Sequence, residues 1–197
     1  METVPASTTP ERLVTPTFTV VTASAFAYFT ALGMLLPTVP RYVEEELGGG
    51  GFAVGLAVGS FAVSAAVLRP LVGRVGDTRG RRVLVMAGTI GVGLSVLGYG
   101  LAHNLLVLVL FRLVSGACEA AVFVGAATAS QDMAPPERRG EAASYFSVAI
   151  YGGFALLAIL GENLRADHGF TTVWVVAAAW CVLAFVLGIG VPGGPRR

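Results

Sequence analysis

Residues 69–88 read RPLVGRVGDTRGRRVLVMAG and join two long apolar runs through a short basic turn. Within that turn four arginines surround a single aspartate, Asp77, and glycines punctuate the segment. A soluble domain has little use for a strongly charged turn of this kind between two apolar segments, because it would have no core to serve. The pattern therefore points away from a soluble domain.

The composition of the whole chain indicates an integral membrane protein. Of its 197 residues, 55% are hydrophobic and only 13% are charged, whereas soluble domains carry about 25% charged residues. Apolar runs of about 20 residues recur along the chain, the length that crosses about 30 Å of hydrocarbon as a helix. The formal net charge of +1 leaves no excess basic surface, so we expect no nucleic acid partner.

The apolar runs predict an all-α membrane protein with six transmembrane helices, because only backbone that satisfies its own hydrogen bonds is stable in lipid. Segments rich in glycine, proline and charge separate the runs. We expect a cytoplasmic tail at 1–16, a bundle at 17–190 and a second cytoplasmic tail at 191–197. The predicted spans are 17–37, 52–72, 83–102, 105–130, 141–161 and 171–190.

The arginines predict the orientation of the bundle. All 13 basic residues are arginine, and with a cytoplasmic N-terminus ten fall on the inner side, two on the outer side and one within span four. Such asymmetry favours two cytoplasmic termini, and this arrangement requires an even number of spans. The inner arginines are Arg12, Arg69, Arg74, Arg79, Arg81, Arg82, Arg138, Arg139, Arg196 and Arg197, and the outer ones are Arg41 and Arg165.

The basic turn has an ordered frame, Gly73-x-x-x-Asp77-x-x-Gly80-Arg81-Arg82. Gly73 and Gly80 would permit a tight reversal and a close approach of the helices. At the start of the third helix, the Asp77 carboxylate would be stabilised by the positive end of the helix dipole. The arginines would pair with Asp77 or with anionic lipid head groups. The simpler alternative is a turn whose only role is to carry positive charge on the inner side.

This frame resembles the signature of the major facilitator superfamily, which lies in the loop between the second and third helices of those transporters. Thr78 stands where the family usually has a basic residue, and Val83 stands where a third basic residue often follows. The resemblance implies a conformational latch formed by Gly73, Asp77, Gly80, Arg81 and Arg82. Such a latch would hold the inward-closed arrangement and release when the two halves of the transporter rock.

Span four carries two ionisable residues well inside the membrane, Arg112 and Glu119. Charges at this depth are costly and usually face a cavity or a partner, so they mark function. The two residues are seven positions apart and project from nearly the same helical face, at depths that differ by about 10 Å. The alternatives are structural: Arg112 would bind helix carbonyls, and Glu119 would reach the interface or hold a fixed hydrogen bond.

Arg112 followed by Gly116 resembles the span-four signature of proton-coupled exporters in the superfamily. Glu119 is not part of that signature, but its carboxyl group can take up and release a proton, so it is the stronger candidate for the proton carrier. We therefore expect Arg112, Gly116 and Glu119 to form a site for proton coupling or a wall of the substrate cavity.

Spans one and five offer further candidates for the lining of a solute cavity. Exporters of the superfamily often have a Gly-Pro pair in span five, and the segment LLAILGE, residues 156–162, has no proline. The resemblance therefore supports transport more strongly than export. The candidate lining residues are Thr22, Phe26, Thr30, Tyr145, Ser147 and Tyr151.

The superfamily has about twelve spans in two halves that hold the substrate between them, and the sequence supplies six of them. The resemblance thus implies the N-terminal half of a secondary transporter that moves a small organic solute by alternating access, driven by a proton gradient and without a cofactor. Its partners would be the lipid bilayer of the plasma membrane, the solute, and a second half or a second copy. We expect no transport by the isolated chain, because one half has no opposing bundle to rock against.

The alternative is a non-transporting six-helix membrane module, either a remnant or an assembly partner. No catalytic constellation, metal cluster or phosphate-binding loop is visible in the sequence, so we do not expect an enzyme.

Overall fold

A computed structural model of the chain describes residues 13–193. Within that range the protein is helical and has five helices long and apolar enough to cross a membrane. The predicted tails lie largely outside the described residues, as do three of the arginines counted on the inner side, Arg12, Arg196 and Arg197. The helices are α1 (Pro16–Glu45), α2 (Gly51–Arg79), α3 (Arg81–Tyr99), α4 (Leu105–Asp132) and α5 (Arg139–Gly188), and a short 3₁₀ helix (Pro136–Arg138) precedes α5.

Helix α1 begins where the sequence predicts but is longer than expected. The Thr15 hydroxyl accepts a hydrogen bond from the Phe18 amide at 3.2 Å and caps the helix. The predicted end at 37 is wrong, since the helix continues through Pro37 and Pro40 to Glu45. Membrane helices tolerate interior proline because local adjustments and neighbouring groups can bond the freed helix carbonyls. Between the two prolines, the Thr38 hydroxyl donates to the Met34 carbonyl of its own helix at 2.7 Å.

The turn between α2 and α3 is much shorter than predicted. Helix α2 continues past the expected end at 72 to Arg79, and α3 starts at Arg81, so Gly80 alone lies between them. Gly80 has φ 90° and ψ 155°, a conformation that residues with a Cβ rarely adopt. One glycine is therefore sufficient to reverse the chain, and Gly73 and Asp77 belong to α2.

The prediction of six separate helices is not confirmed, because the expected fifth and sixth spans form one element of 50 residues in the described chain, α5. A straight helix of that length would extend about 75 Å, far more than a bilayer. Gly169 interrupts it with φ 79° and ψ 176°. Residues 161–170 were expected to form the loop between spans five and six, because they are polar and contain glycine. Instead they stay helical up to Gly169.

The two parts of α5 run in opposite directions along α1. In the first part, the Tyr145 ring packs near the start of α1, and Arg165 reaches the end of α1 at Glu45. In the second part, the order is inverted, because Trp174 packs on Tyr42 and the Ala184 carbonyl accepts a hydrogen bond from Ser24 at 2.8 Å. The chain therefore reverses at Gly169.

Close backbone contact joins α1 to the first part of α5. A Cβ added to Gly153 would lie 2.8 Å from the Thr30 amide nitrogen, and one added to Gly33 would lie 2.8 Å from the Phe154 carbonyl oxygen. Small residues at such contacts let membrane helices approach closely enough for extensive van der Waals packing. At the far end an aromatic cluster of Tyr42, Tyr99, Phe170 and Trp174 fills the core.

Candidate functional site

Arg81 connects three helices at the α2–α3 turn. Its Nη1 lies 2.8 Å from Asp77 Oδ1 in α2, and its Nε lies 3.5 Å from Asp132 Oδ2 at the end of α4. The Arg81 side chain is only 16% exposed. We call Asp77, Arg81 and Asp132 the Arg81 cluster.

The pairing of Asp77 with an arginine agrees with the sequence analysis, but its position does not. Asp77 lies in the last turn of α2 rather than at the start of α3, because α2 is seven residues longer than the predicted end at 72. Asp132 was missed. Its signal in the sequence was an acidic residue at the end of span four, on the same predicted side as the basic turn.

The glycine that permits close packing near the turn is Gly76 rather than Gly73. A Cβ on Gly73 would meet nothing within 4 Å, whereas one on Gly76 would lie 2.7 Å from Leu84 Cδ1 and 2.9 Å from Arg81 Nη1. The role predicted for Gly73 in helix approach is therefore wrong. The Arg82 side chain lies near Gly193, since a Cβ added to Gly193 would be 3.7 Å from Arg82 Cδ.

Arg112 is buried in the bundle, with 6% of its surface exposed. Its Nε donates to the Ala57 carbonyl of α2 at 3.0 Å, and its Nη1 lies 3.5 Å from the Tyr99 hydroxyl of α3. The guanidinium also lies over the Phe61 ring, 4.5 Å from its centroid. The structural alternative for Arg112, binding to a helix carbonyl, is thus observed, and no ion pair to Arg112 is found among residues 13–193.

Gly116 lies at the crossing of α2 and α4. A Cβ added there would overlap the Phe61 carbonyl oxygen and lie 3.1 Å from the Phe61 Cα. One helical turn away, the Ser64 hydroxyl donates to the Leu113 carbonyl at 2.7 Å. The position next to Arg112 in the signature is therefore a contact point between two helices.

Glu119 does not pair with Arg112. Its Oε1 lies 3.6 Å from Nη2 of Arg69 in α2, and its Oε2 is buried without a hydrogen-bond partner. The Glu119 side chain is 6% exposed and that of Arg69 is 43% exposed. Sequence reasoning counted Arg69 only as an inner positive charge, because nothing local links residues 50 positions apart.

A cavity of about 340 Å³ opens between α1, α2, α4 and α5, and Arg112 is the one ionisable residue in its lining. The remaining walls are apolar, so the cavity suits an organic solute with a single polar or charged group. The lining residues are Leu32, Leu35, Leu36, Val39, Pro40, Val58, Phe61, Ala62, Arg112 and Phe154.

None of the six residues predicted to line a cavity lies in the lining of this one. On α1, the Thr22 hydroxyl donates within its own helix, Phe26 packs beside Gly152, and Thr30 is buried with an unpartnered hydroxyl. On α5, the Tyr145 ring packs edge-on against Phe18, Ser147 donates to the Ala143 carbonyl, and Tyr151 is 71% exposed. The structure does not bring these side chains together.

A second group of charges lies at the other end of α1. Arg165 Nη1 is 3.0 Å from Glu45 Oε2, and Arg165 Nη2 is 2.7 Å from Glu162 Oε1. Arg41 Nε approaches the same Glu162 oxygen at 4.0 Å. We call these four residues the Arg165 cluster, which ties the end of α1 to α5 near the reversal at Gly169.

Comparison with known proteins identifies relatives over most of the chain. A family model described as the Major Facilitator Superfamily matches residues 21–196. The quinolone resistance protein NorA of Staphylococcus aureus is 28% identical over 172 residues, which cover 87% of this chain and 44% of that protein. Multidrug resistance protein 1 of Bacillus subtilis is 28% identical over 181 residues, which cover 92% of this chain and 46% of that protein.

A solved structure shares the fold. The crystal structure of the human organic anion transporter MFSD10 aligns with a TM-score of 0.72 and 22% sequence identity, covering 96% of this chain and 51% of that one. The chain thus spans about half the length of the curated relatives and of the structural neighbour it matches.

Proposed function

The chain belongs to the major facilitator superfamily, and from this premise we propose that it forms one half of a proton-coupled secondary transporter that exports a small organic solute. Members of the superfamily are carriers, so the chain is not an enzyme. It is an integral, multi-pass membrane protein with a membrane-spanning helical bundle.

The proposed topology has six crossings with both termini on the cytoplasmic side of the plasma membrane. The reversal at Gly169 supports a sixth crossing by the last part of α5. The contact between Arg81 and Asp132 supports the arrangement of the first four crossings, because it brings the α2–α3 turn and the end of α4 to the same end of the bundle. Four arginines of the first turn would then lie beside Arg138 and Arg139, as the preference for positive charge on the inner side requires.

The observation that carries the proposal is the buried carboxylate of Glu119. It lies within a membrane helix, has one oxygen without a hydrogen-bond partner and faces a single cation across 3.6 Å. A carboxylate held in this way can exchange a proton in response to a gradient, because protonation breaks only one weak ion pair and no hydrogen bond to the second oxygen. Proton uptake at Glu119 would then drive the transport cycle.

Arg112 would serve the substrate rather than the proton. Its guanidinium donates to the Ala57 carbonyl, and its side chain lines the 340 Å³ cavity. Protein names of the two curated relatives, which refer to quinolone and multidrug resistance, favour an organic compound as the solute and export as the direction.

The Arg81 cluster would act as the latch. Arg81 holds α2, α3 and α4 together while both carboxylates are in reach. In alternating access one half of the transporter rocks against the other, and the second half would come from further chain or from a second copy. Opening of that end would separate Arg81 from at least one of its partners.

The test is proton-driven efflux of a fluorescent organic dye from cells that express the chain, with the variant Glu119→Gln. We expect Glu119→Gln to abolish efflux, because an amide cannot bind and release the proton. Glu44→Gln is the matched control, since Glu44 is exposed and lies outside both charge clusters.

Efflux that is unchanged in Glu119→Gln would contradict the coupling role. Absence of efflux in every variant, with normal insertion in the membrane, would instead favour a six-helix module that does not transport. The purified monomer, reconstituted at no more than one chain per liposome, should show no flux, because neither a second copy nor a second half is present to oppose it.

A further inference from the structure

Arg69 is the one charged side chain found in contact with Glu119 in the described part of the protein, and the sequence assigned it no role in the site. Its guanidinium carbon lies 4.2 Å from the centre of the Phe123 ring while Nη2 faces the carboxylate. The side chain is thus placed between an aromatic face and an anion of the same helix, α4. An arginine that merely extended toward the lipid head groups would make neither contact.

Arg69 immediately precedes Pro70, which lies inside α2. Proline has no amide hydrogen, so the helix lacks one hydrogen bond at this point and bends there more easily. On the N-terminal side of Pro70, α2 is fixed to α4 by the Arg112–Ala57 and Ser64–Leu113 hydrogen bonds. On its C-terminal side, residues 70–79 form the final part of α2 and include Asp77 of the Arg81 cluster.

We propose that Arg69 is the positioning residue of the proton site and couples Glu119 to the latch. While Glu119 is ionised, its pair with Arg69 holds α2 against α4 at the bend next to Pro70, and this limits the movement of the segment that follows. When Glu119 takes up a proton, the pair is lost and the segment that carries Asp77 is free to move away. The inference rests on the proposed proton exchange at Glu119, and it adds the route from that exchange to the conformational change.

The groups around Glu119 leave Arg69 as its main charge partner. Helix α1 contributes the buried Tyr28 hydroxyl, which is near enough to Glu119 for an electrostatic interaction. Helices α3 and α5 contribute Tyr99 and Cys181, which interact with Tyr28. Cys118 of α4 also interacts with Tyr28, and Arg112 of α4 is already bonded to the Ala57 carbonyl.

The test is amide hydrogen exchange of the full chain in lipid nanodiscs, at one fixed pH, read out for the nine amides of residues 70–79, since Pro70 has none. We expect Arg69→Gln and Glu119→Gln each to speed exchange in this segment about fivefold, the factor that corresponds to a partly exposed pair worth about 1 kcal/mol. The double variant should exchange no faster than either single variant, because both changes break the same contact. Arg69→Lys should restore slow exchange, since it keeps the charge.

Arg74→Gln is the matched control, because Arg74 carries the same charge on the same helix, α2, and is exposed. It should leave exchange unchanged. The proposal is overturned if Arg69→Gln behaves like Arg74→Gln, or if the effects of Arg69→Gln and Glu119→Gln multiply in the double variant.

The exchange measurement is independent of transport. If the exchange pattern appears but Glu119→Gln retains proton-driven efflux, the proposed function fails while the coupling of the Arg69–Glu119 pair to residues 70–79 stands. If efflux depends on Glu119 but exchange at residues 70–79 does not, the coupling through Arg69 is wrong and the proposed function remains.

Discussion

Replacement of Gly116 by alanine tests whether the α2–α4 contact is as close as the structure requires. The added Cβ would overlap the Phe61 carbonyl oxygen and lie 3.1 Å from both the Phe61 Cα and its carbonyl carbon. These are backbone atoms of a helix, so they cannot move aside as the end of a flexible side chain would. The two helices must therefore separate by a few tenths of an ångström or more.

The cost of such overpacking is about 1–3 kcal/mol. Separation of the helices would also lengthen the 3.0 Å hydrogen bond from Arg112 to the Ala57 carbonyl, which lies one turn from the contact. Alanine favours the helix over glycine by about 1 kcal/mol, and this gain offsets part of the cost. We expect a net loss of up to about 2 kcal/mol in the free energy of unfolding.

The assay is reversible unfolding of the chain in detergent, with Gly59→Ala as the control. Gly59 lies in the membrane part of α2, and a Cβ there would meet nothing within 4 Å. Gly59→Ala should therefore leave stability unchanged or raise it slightly through helix propensity. The reasoning is refuted if Gly116→Ala is as stable as Gly59→Ala.

Three further predictions concern the turn and the two charge clusters. Gly80→Ala should destabilise the chain by about 1–2 kcal/mol in the same unfolding assay, because alanine is strained at φ 90°; an unchanged stability would contradict the single-residue turn. Asp132→Asn should loosen Arg81 and speed amide exchange at the start of α3, and equal exchange in the variant and the wild type would show that the 3.5 Å pair contributes nothing. Arg165→Gln should lower the stability only slightly, with the loss smaller at high salt, because its partner Glu45 is 41% exposed; a loss that does not depend on salt would argue against an ion-pair origin.

The positions of the membrane helices could be predicted because the bilayer sets a length that apolar runs must match. Their ends could not be predicted equally well. Pro37, Pro40 and Pro70 look like helix ends in a soluble protein, yet all three lie inside helices here. Six separate helices were not confirmed for a different reason, since the expected loop between spans five and six is replaced by a single non-helical residue, Gly169, within α5.

The site could be predicted only where its contacts are local in sequence. Asp77 and Arg81 are four residues apart across one turn, and their pairing followed from the frame of the motif. The partners of Arg81 and Glu119 on other helices, Asp132 and Arg69, depend on how helices face each other, which periodicity does not reveal. The lining of the cavity beside Arg112 was not predicted for the same reason, because polarity alone does not say which face of a helix meets a cavity.

The most direct test of the account is the side of the membrane on which the α2–α3 turn lies. Thr78 and Asp167 are both exposed, so each can be replaced by cysteine in a chain that also carries Cys118→Ala and Cys181→Ala. We predict that a membrane-impermeant maleimide labels Thr78→Cys only from the cytoplasmic side and Asp167→Cys only from the outside. Labelling of Thr78→Cys from the outside, or of both positions from one side, would contradict the six-crossing topology and the latch together.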